Sequence, residues 1–230
     1  MTRLAKFDWK AIEAGLDLEG QAVLPGLLSA HECDALIALD ANDKAFADVG
    51  SHDALLPGAG ELEPSAGLPS FHELRAALYE KLAPIANRWN KAMGLAARYP
   101  ARLDQLLPVC HRAGQRRPQA ALSRLLKGDH QALRQGAEGD CVFPLQAVVL
   151  LGQPGKEFTG GELVMTEQRP RMQTRPMVVP LQKGDATLFA AHHRPFKGTK
   201  GDYRVNLRHA VSRVRSGERV AIDLLFHDAP

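Results

Sequence analysis

The second half of the chain carries the feature that most constrains its fold, a series of short apolar segments rich in β-branched residues. The segments lie after Pro118, are separated by turns that contain Gly, Pro or Asp, and span residues 142–151, 161–167, 177–181, 186–190, 203–207 and 220–226. Short strands at this close spacing are typical of an all-β sandwich or barrel. We therefore predict one of these two architectures for the second half.

The first half has the pattern of helices. Apolar residues recur at helical spacing in four segments, which span residues 7–14, 29–39, 74–93 and 101–111. Ser-x-x-Glu, the form of a capping box, occurs at Ser29 and again at Ser70. Pro84 lies inside the third segment and is expected to kink or interrupt it. Residues 21–25 form a short strand candidate, and residues 44–69 are expected to form a long loop.

Helices followed by strands predict an α+β fold in which helices support a sheet. The length of 230 residues is enough for one domain with a sizeable core. We expect a single domain over residues 1–230, with residues 1–113 as mainly helical support and residues 114–230 as the β-rich core.

A unit near the C-terminus adds a more specific constraint. It reads His-x-Val-x2-Val-x2-Gly-x-Arg from His209 to Arg219, between two strand-like runs. It is accompanied by Phe-Thr-Gly-Gly-Glu at residues 158–162 and Gly-Asp-Ala-Thr-Leu-Phe at residues 184–189. Together these motifs resemble the Fe(II)/2-oxoglutarate-dependent dioxygenases. The resemblance implies a double-stranded β-helix (jelly-roll) barrel buttressed by the N-terminal helices. It also implies that His209 is the last metal ligand and that Arg219 pairs with the distal carboxylate of 2-oxoglutarate.

Two longer motifs narrow the resemblance to one branch. Gln-Arg-Pro-Arg-Met-Gln-Thr-Arg at residues 168–175 and Val-Phe-Pro-Leu-Gln at residues 142–146 resemble a bacterial branch proposed to oxidise damaged or alkylated nucleic acid. The likeness runs from about residue 70 to the C-terminus. It implies Fe(II) and 2-oxoglutarate as cofactors and nucleic acid as the substrate class.

The other two metal ligands of the family come from a His-x-Asp motif, and this chain contains no His-x-Asp or His-x-Glu. In the branch, Gly-Asp is followed after four residues by His-Gln-Asp. Here Gly128-Asp129 is followed at the same offset by Arg134-Gln135-Gly136, and the downstream segment 139–146 stays in register. Arg134 therefore occupies the position of the ligand histidine, and Gly136 occupies the position of the ligand carboxylate.

These replacements should weaken metal binding. Glycine has no side-chain donor, and the arginine guanidinium stays protonated, so it repels a cation. His130 is four residues before Arg134, which is roughly 12 Å or more along an extended strand, so a rescue by His130 needs a rearranged site. Fe(II) and 2-oxoglutarate are therefore predicted to be absent or weakly bound. The guanidinium of Arg134 could instead replace the charge of the iron and pair with an anion.

Charge and cysteine usage set the remaining expectations. The net charge is +3, and basic residues predicted to line a substrate or nucleic-acid rim are Arg116, Arg117, Arg169, Arg171 and Arg175; a solvated surface is the alternative interpretation. The three cysteines form no Cys-x2-Cys pair, which indicates neither a disulfide framework nor a zinc site and favours a reducing compartment. No signal peptide or membrane-length apolar run is evident, so we expect a cytoplasmic protein without membrane contact.

Three hypotheses about function follow, and the sequence leaves open whether the protein is an enzyme. The first is an oxygenase-fold protein with a degenerate metal site that binds or regulates, through a small anionic ligand or nucleic acid. The second is an active dioxygenase with a rearranged metal site that oxidises alkylated nucleic acid. The third is an interaction module with a protein partner and no small-molecule ligand. The sequence does not decide whether residues 44–69 close over the pocket.

Overall fold

The computed structural model describes residues 3–43, 70–118, 120–199 and 201–230. The predicted long loop, residues 44–69, lies outside the described residues. A short 3-10 helix at Arg3–Lys6 precedes four α-helices: α1 Trp9–Glu19, α2 Ala30–Asp43, α3 Phe71–Ala92 and α4 Leu103–Arg112. The first strands are β1 Gln21–Leu24, β2 Ala120–Leu126, β3 Gln131–Arg134, β4 Leu145–Leu150, β5 Phe158–Gly160 and β6 Leu163–Gln168. The remaining strands are β7 Arg175–Val179, β8 Ala186–Ala190, β9 His193–Gly198, β10 Gly201–Val211 and β11 Val214–Leu225.

The helices follow the predicted start signals. The Ser29 backbone N–H donates to Glu32 Oε2 at 2.8 Å, and the Glu32 N–H donates to Ser29 Oγ at 3.2 Å, which confirms the capping box. Ser70 caps α3 by accepting from the Glu73 N–H at 3.3 Å. The expected kink or interruption at Pro84 is wrong as an interruption, because α3 continues through Pro84 to Ala92. The buried face of this helix packs into the core and outweighs the missing hydrogen bond.

Two antiparallel sheets form the β-structure. One sheet has the order β1-β8-β4-β11-β2, with β5 also paired to β11, and the other has the order β3-β10-β6-β7, with β9 also paired to β10. Apolar side chains from both sheets and from α1 and α3 share one buried core. Helices combined with two curled antiparallel sheets confirm the predicted α+β jelly-roll fold. Among the helices of the described ranges, none is both long and apolar enough to cross a bilayer.

Four strands were missing from the sequence prediction, namely β2, β3, β5 and β9. The segment that follows the His192-His193 doublet is rich in Pro and Gly, a composition that favours a loop. It is a strand instead, and His193–Gly198 pairs with β10 over six residue positions. Pro195 is tolerated there because β9 has no strand other than β10 beside it in the described part of the sheet, where a missing N–H costs no ladder bond.

A buried arginine ties the N-terminal helix to the second sheet. Arg194 on β9 forms an ion pair with Glu167 on β6, and both side chains are 1% exposed. The same guanidinium donates to the carbonyl oxygens of Asp17 and Leu18 on α1, at 2.8 and 2.9 Å. β1, which follows α1, pairs with β8 in the first sheet. The N-terminal segment therefore contributes to both sheets.

Candidate functional site

The pairing of β3 with β10 determines what surrounds His209. His209 lies on β10, directly opposite Arg134 on β3 and opposite Met165 on β6. The register between β3 and β10 shifts between His209 and Val211, where Val211 pairs with Gln131. The backbone therefore brings the predicted histidine position and the predicted arginine position side by side, as the sequence register required.

The imidazole of His209 is buried and kept neutral. Its Nδ1 lies 3.1 Å from the side-chain Nε2 of Gln146 on β4, and the ring of Phe189 stands edge-on with its centroid 5.1 Å away. Burial and, to a lesser extent, the nearby Arg134 guanidinium lower the pKa of His209 to about 3. The imidazole is therefore largely buried and packs against Gln146 and Phe189.

Gly136 leaves a space that Gln146 fills. A Cβ placed on Gly136 would lie 2.6 Å from the side-chain Oε1 of Gln146. The backbone N–H of Gly136 donates to the Ala191 carbonyl at 3.0 Å, which fixes this part of the chain against the end of β8. The amide of Gln146 thus contacts both His209 and the space over Gly136. We refer to His209, Arg134, Gly136, Gln146 and Phe189 as the His209 site.

Arg134 brings a positive charge to the His209 site. Its Nε is buried and has no hydrogen-bond partner among the described residues. The next residue, Gln135, is held firmly, because its Nε2 donates to Asn206 Oδ1 at 2.5 Å and to the Leu207 carbonyl at 2.8 Å. This anchoring fixes the backbone of Arg134 at the end of β3. A polar atom without a partner in a buried place is costly and often marks a place for a ligand.

The donors available for iron are few. Fe(II) in this fold requires two histidines and one carboxylate on one face of the ion. The three ligand positions supply one imidazole, one guanidinium and one glycine. Within the described ranges, no three His, Cys, Asp or Glu side chains cluster in a way that could hold a metal ion. The Nδ1 of His130 is also buried without a partner there, but His130 precedes Gln131, which lies opposite Val211 rather than His209.

Arg219 lies on β11 beside a cavity of about 390 Å³. Its side chain is buried, its Nε donates to the Gly161 carbonyl at 2.8 Å, and burial lowers its pKa while Asp223 opposes that shift. The Gly160-Gly161 turn permits this contact. Both glycines have positive φ, and a Cβ on Gly161 would lie 2.9 Å from Arg219 Cδ.

The lining of this cavity is mostly apolar, and we call the cavity with its lining the Arg219 cavity. It is lined by Leu150, Pro154, Gly155, Phe158, Thr159, Gly160, Gly161, Glu162, Leu163, Val178, Val179, Pro180, Leu181 and Arg219. His209 is not part of this lining. The structure therefore brings Arg134 and Gly136 to His209, whereas Arg219 lines the Arg219 cavity.

The five arginines of the predicted basic rim lie in different parts of the structure. Arg169 and Arg171 line an open cleft of about 260 Å³, which we call the basic cleft and which is lined by Gln168, Arg169, Pro170, Arg171, His193, Arg204 and Asn206. Arg175 forms an ion pair with Glu19 instead. Arg117 pairs with Ala229 near the C-terminus, and its neighbour Arg116 is exposed there. Arg116, Arg117 and Arg175 are thus not part of this cleft, because strand pairing carries them elsewhere.

Several site residues were missed by the sequence reasoning. Gln146 is the main one, and the available signal was a lone polar residue inside the apolar run of β4, where burial demands a hydrogen-bond partner. Arg204 and Asn206 were missed because their strand was predicted only over residues 203–207, without its neighbours. His192 was not connected with a site, yet its Nδ1 is buried without a partner in the described structure, and burial lowers its pKa to about 4.

Comparisons with known proteins agree with this architecture. A family model described as "Oxygenase, catalysing oxidative methylation of damaged DNA" matches residues 65–229. Uncharacterized proteins from two strains of Mycobacterium tuberculosis are 43% identical over 159 residues, which is 69% of this chain and 68% of theirs.

Solved structures give the same result for the fold. A 2OG-Fe(II) oxygenase family oxidoreductase from Burkholderia pseudomallei is similar at TM-score 0.51 and 21% identity, over 97% of this chain and 93% of that one. A prolyl-4-hydroxylase from Pseudomonas putida is similar at TM-score 0.50 and 15% identity, over 94% and 90% of the two chains. At these identities the likeness establishes the fold.

Proposed function

The chain belongs to the family of oxygenases described as acting on damaged DNA, and on that premise we propose that it is a member that does not hold Fe(II) and binds rather than oxidises. One observation carries the proposal. Arg134 and Gly136 occupy the two ligand positions near His209, and the amide of Gln146 fills the space over Gly136. One imidazole next to a guanidinium has too few electron-pair donors to retain a divalent ion against water.

The ligand that this site favours is an anion. Arg219 supplies a buried guanidinium at the wall of an apolar cavity, which suits the carboxylate of a small organic acid. The basic cleft supplies Arg169, Arg171 and Arg204 at a more open surface, which suits the phosphates of a nucleic acid. We propose that the protein retained these binding surfaces and works in the cytoplasm as a binding or regulatory protein.

The test compares the natural chain with a variant in which the ligands are restored. Anaerobic titration with Fe(II) or Mn(II) is expected to give no stoichiometric binding to the natural chain. The double variant Arg134→His/Gly136→Asp is expected to bind Mn(II) at least tenfold more tightly, because it completes the two-histidine, one-carboxylate set. The single variants Arg134→His and Gly136→Asp serve as matched controls with incomplete sets. Tight stoichiometric metal binding by the natural chain would overturn the proposal.

A second candidate function is favoured by the family match. In this alternative the protein is an active Fe(II)/2-oxoglutarate-dependent dioxygenase that oxidises alkylated nucleic acid with a rearranged metal site. The buried Nδ1 of His130, which has no partner among the residues that the structure describes, is the donor that such a rearrangement would recruit. It predicts iron-dependent succinate release that is stimulated by methylated single-stranded DNA and is lost in both His209→Ala and His130→Ala. The first proposal predicts no succinate release above a protein-free control.

Thermal denaturation distinguishes the third hypothesis from the first two. In this hypothesis the protein is an interaction module that binds a protein partner and no small molecule. If Arg219 accepts a carboxylate, millimolar dicarboxylates should raise the Tm of the natural chain, because a ligand that binds only the folded state stabilises it. No shift with any dicarboxylate, together with no retention of DNA, would favour the interaction module over both other readings.

A further inference from the structure

Two thiols outside the His209 site lie in direct contact. Cys110, in the last turn of α4, and Cys141, between β3 and β4, have their Sγ atoms 3.0 Å apart. Both are free cysteines; Cys110 is fully buried, and Cys141 is half-buried. The two residues are 31 positions apart in the chain, so the contact comes from the tertiary fold rather than from local geometry.

One buried side chain holds the two cysteines together. The side-chain Oε1 of Gln115 accepts from the Cys141 backbone N–H at 2.6 Å, and its Nε2 donates to the Cys141 carbonyl at 3.2 Å. The backbone N–H of Gln115 donates to the Cys110 carbonyl at 3.0 Å. The Nε2 of Gln115 also donates to the Asp228 carbonyl at 2.6 Å, which anchors the clamp to the C-terminal segment. The thiols therefore need little conformational search to react with each other.

We propose that Cys110 and Cys141 are a redox-active pair that closes to an intramolecular disulfide when a peroxide reaches Cys141. Cys141 is the more accessible thiol, so its thiolate attacks a peroxide oxygen, the O–O bond breaks, and a sulfenic acid and hydroxide form. The thiolate of Cys110 then attacks the Cys141 sulfur, and a second hydroxide leaves. The two protons released by the thiols convert both hydroxides to water, so two thiols and one hydrogen peroxide give one disulfide and two waters.

The local environment sets the speed of this reaction. Burial, together with the adjacent Cys110 thiol, raises the pKa of Cys141 to about 12. Because only the thiolate attacks peroxide, the reaction is slow at neutral pH and quickens about tenfold for each pH unit in the range where the protein stays folded. The pair thus responds to sustained oxidation rather than to brief pulses.

The cross-link would strengthen a particular connection in the fold. Cys141 lies five residues after Gly136, in the segment that carries one position of the His209 site to β4. A disulfide to α4 closes a loop of 31 residues and restricts the unfolded chain. We expect the oxidised protein to have a Tm higher by about 5–10 °C than the reduced protein.

The experiment treats the reduced, full-length chain with hydrogen peroxide at about pH 9, followed by intact mass and peptide mapping. The expected result is a loss of about 2 Da and a linked peptide pair that contains Cys110 and Cys141, with Cys33 still a thiol. Cys33 is the internal control, since it is buried as well, and burial raises its pKa to about 11. The matched variant Cys33→Ala should form the same disulfide at the same rate.

Two variants separate the pair from general thiol oxidation. In Cys110→Ala, the Cys141 sulfenic acid has no resolving thiol, so a dimedone adduct or a gain of about 16 Da should replace the loss of mass. In Cys141→Ala, Cys110 should stay reduced. The proposal is overturned if the natural chain gains oxygen at Cys141 without cross-linking to Cys110, or links either residue to Cys33. It is also overturned if all three thiols survive conditions that oxidise the urea-unfolded chain.

Discussion

The His209 site and the Arg219 cavity differ in how much open space lies beside the buried side chain. His209 is in contact with two side chains, the Gln146 amide 3.1 Å from its Nδ1 and the Phe189 ring with its centroid 5.1 Å away. Beside Arg219 the interior stays open over about 390 Å³. Side chains of two other strands pack against His209, whereas a buried cation lies beside open space at Arg219.

Under the proposed function, this difference would explain how an oxygenase fold can serve as a binding protein. A metal centre depends on several donors in strict geometry, so the loss of two of them removes its function altogether. An arginine in an apolar cavity can bind a carboxylate without a second protein ligand. The comparison predicts that substitutions near His209 affect the free energy of unfolding and that substitutions near Arg219 affect ligand affinity.

The largest expected effect is on stability at the filled place. Phe189→Ala should lower the free energy of unfolding by about 3–5 kcal/mol, because it removes a fully buried ring that packs on His209. Val178→Ala is the matched substitution at the open place, where the side chain is 62% exposed, and it should change stability by less than about 0.5 kcal/mol. Urea denaturation measures both. A loss below about 1 kcal/mol for Phe189→Ala would mean that the His209 site is not closely packed.

The next effect is on pH dependence. Burial lowers the pKa of His209 to about 3 in the folded chain. Below about pH 6.5 the His209 imidazole is therefore protonated in the unfolded chain but stays neutral in the folded chain. Stability is therefore full above that pH and falls as the pH decreases toward 3. Between about pH 7 and 5, the natural chain should lose about 2 kcal/mol more than His209→Gln.

The comparison with His209→Gln is needed because burial also lowers the pKa values of His192 and His227, each to about 4. These two histidines contribute the same slope to both proteins, so the difference isolates His209. Urea denaturation at several pH values measures it. Identical slopes for the two proteins would show that the imidazole of His209 is solvated.

A third prediction concerns the open place. Arg219→Met should weaken the binding of 2-oxoglutarate or succinate, in the absence of metal, by at least about tenfold, because the neutral side chain cannot pair with a carboxylate. Arg215→Met, an exposed arginine on the same strand, is the matched control and should leave the affinity unchanged. Calorimetry measures both. Equal affinity of Arg219→Met and the natural chain would remove Arg219 from the ligand site.

The smallest effect tests the space over Gly136. Gly136→Ala should cost about 1 kcal/mol, because the new Cβ meets the end of the Gln146 side chain at 2.6 Å, and this end can shift. In the background of Gln146→Ala the same change should cost much less, since the colliding atom is gone. Urea denaturation of the four proteins completes the cycle. Strictly additive costs would mean that Gln146 does not fill this space.

Sequence reasoning identified the fold because its strongest signals are local or motif-based. Capping boxes, a β-rich second half and the spacing from His209 to Arg219 are all visible along the chain, and the register of Arg134 opposite His209 followed from an ungapped motif. Strand β9 was missed because Pro195 argues against a strand unless its edge position is known. The role of Gln146 was hidden because it depends on which side chains meet across two sheets, and no local pattern encodes that meeting.

The anchoring of Arg194 has a consequence for how the protein can be shortened. The family model starts at residue 65, yet the carbonyl acceptors of Arg194 on α1 and the strand beside β8 come from residues before it. A chain trimmed to the matched region would keep the Arg194–Glu167 ion pair but remove the two α1 carbonyl acceptors of Arg194, and it would leave an uncovered sheet edge open to self-association. We therefore expect residues 3–43 to fold together with the region that the family model matches, rather than as an exchangeable appendage.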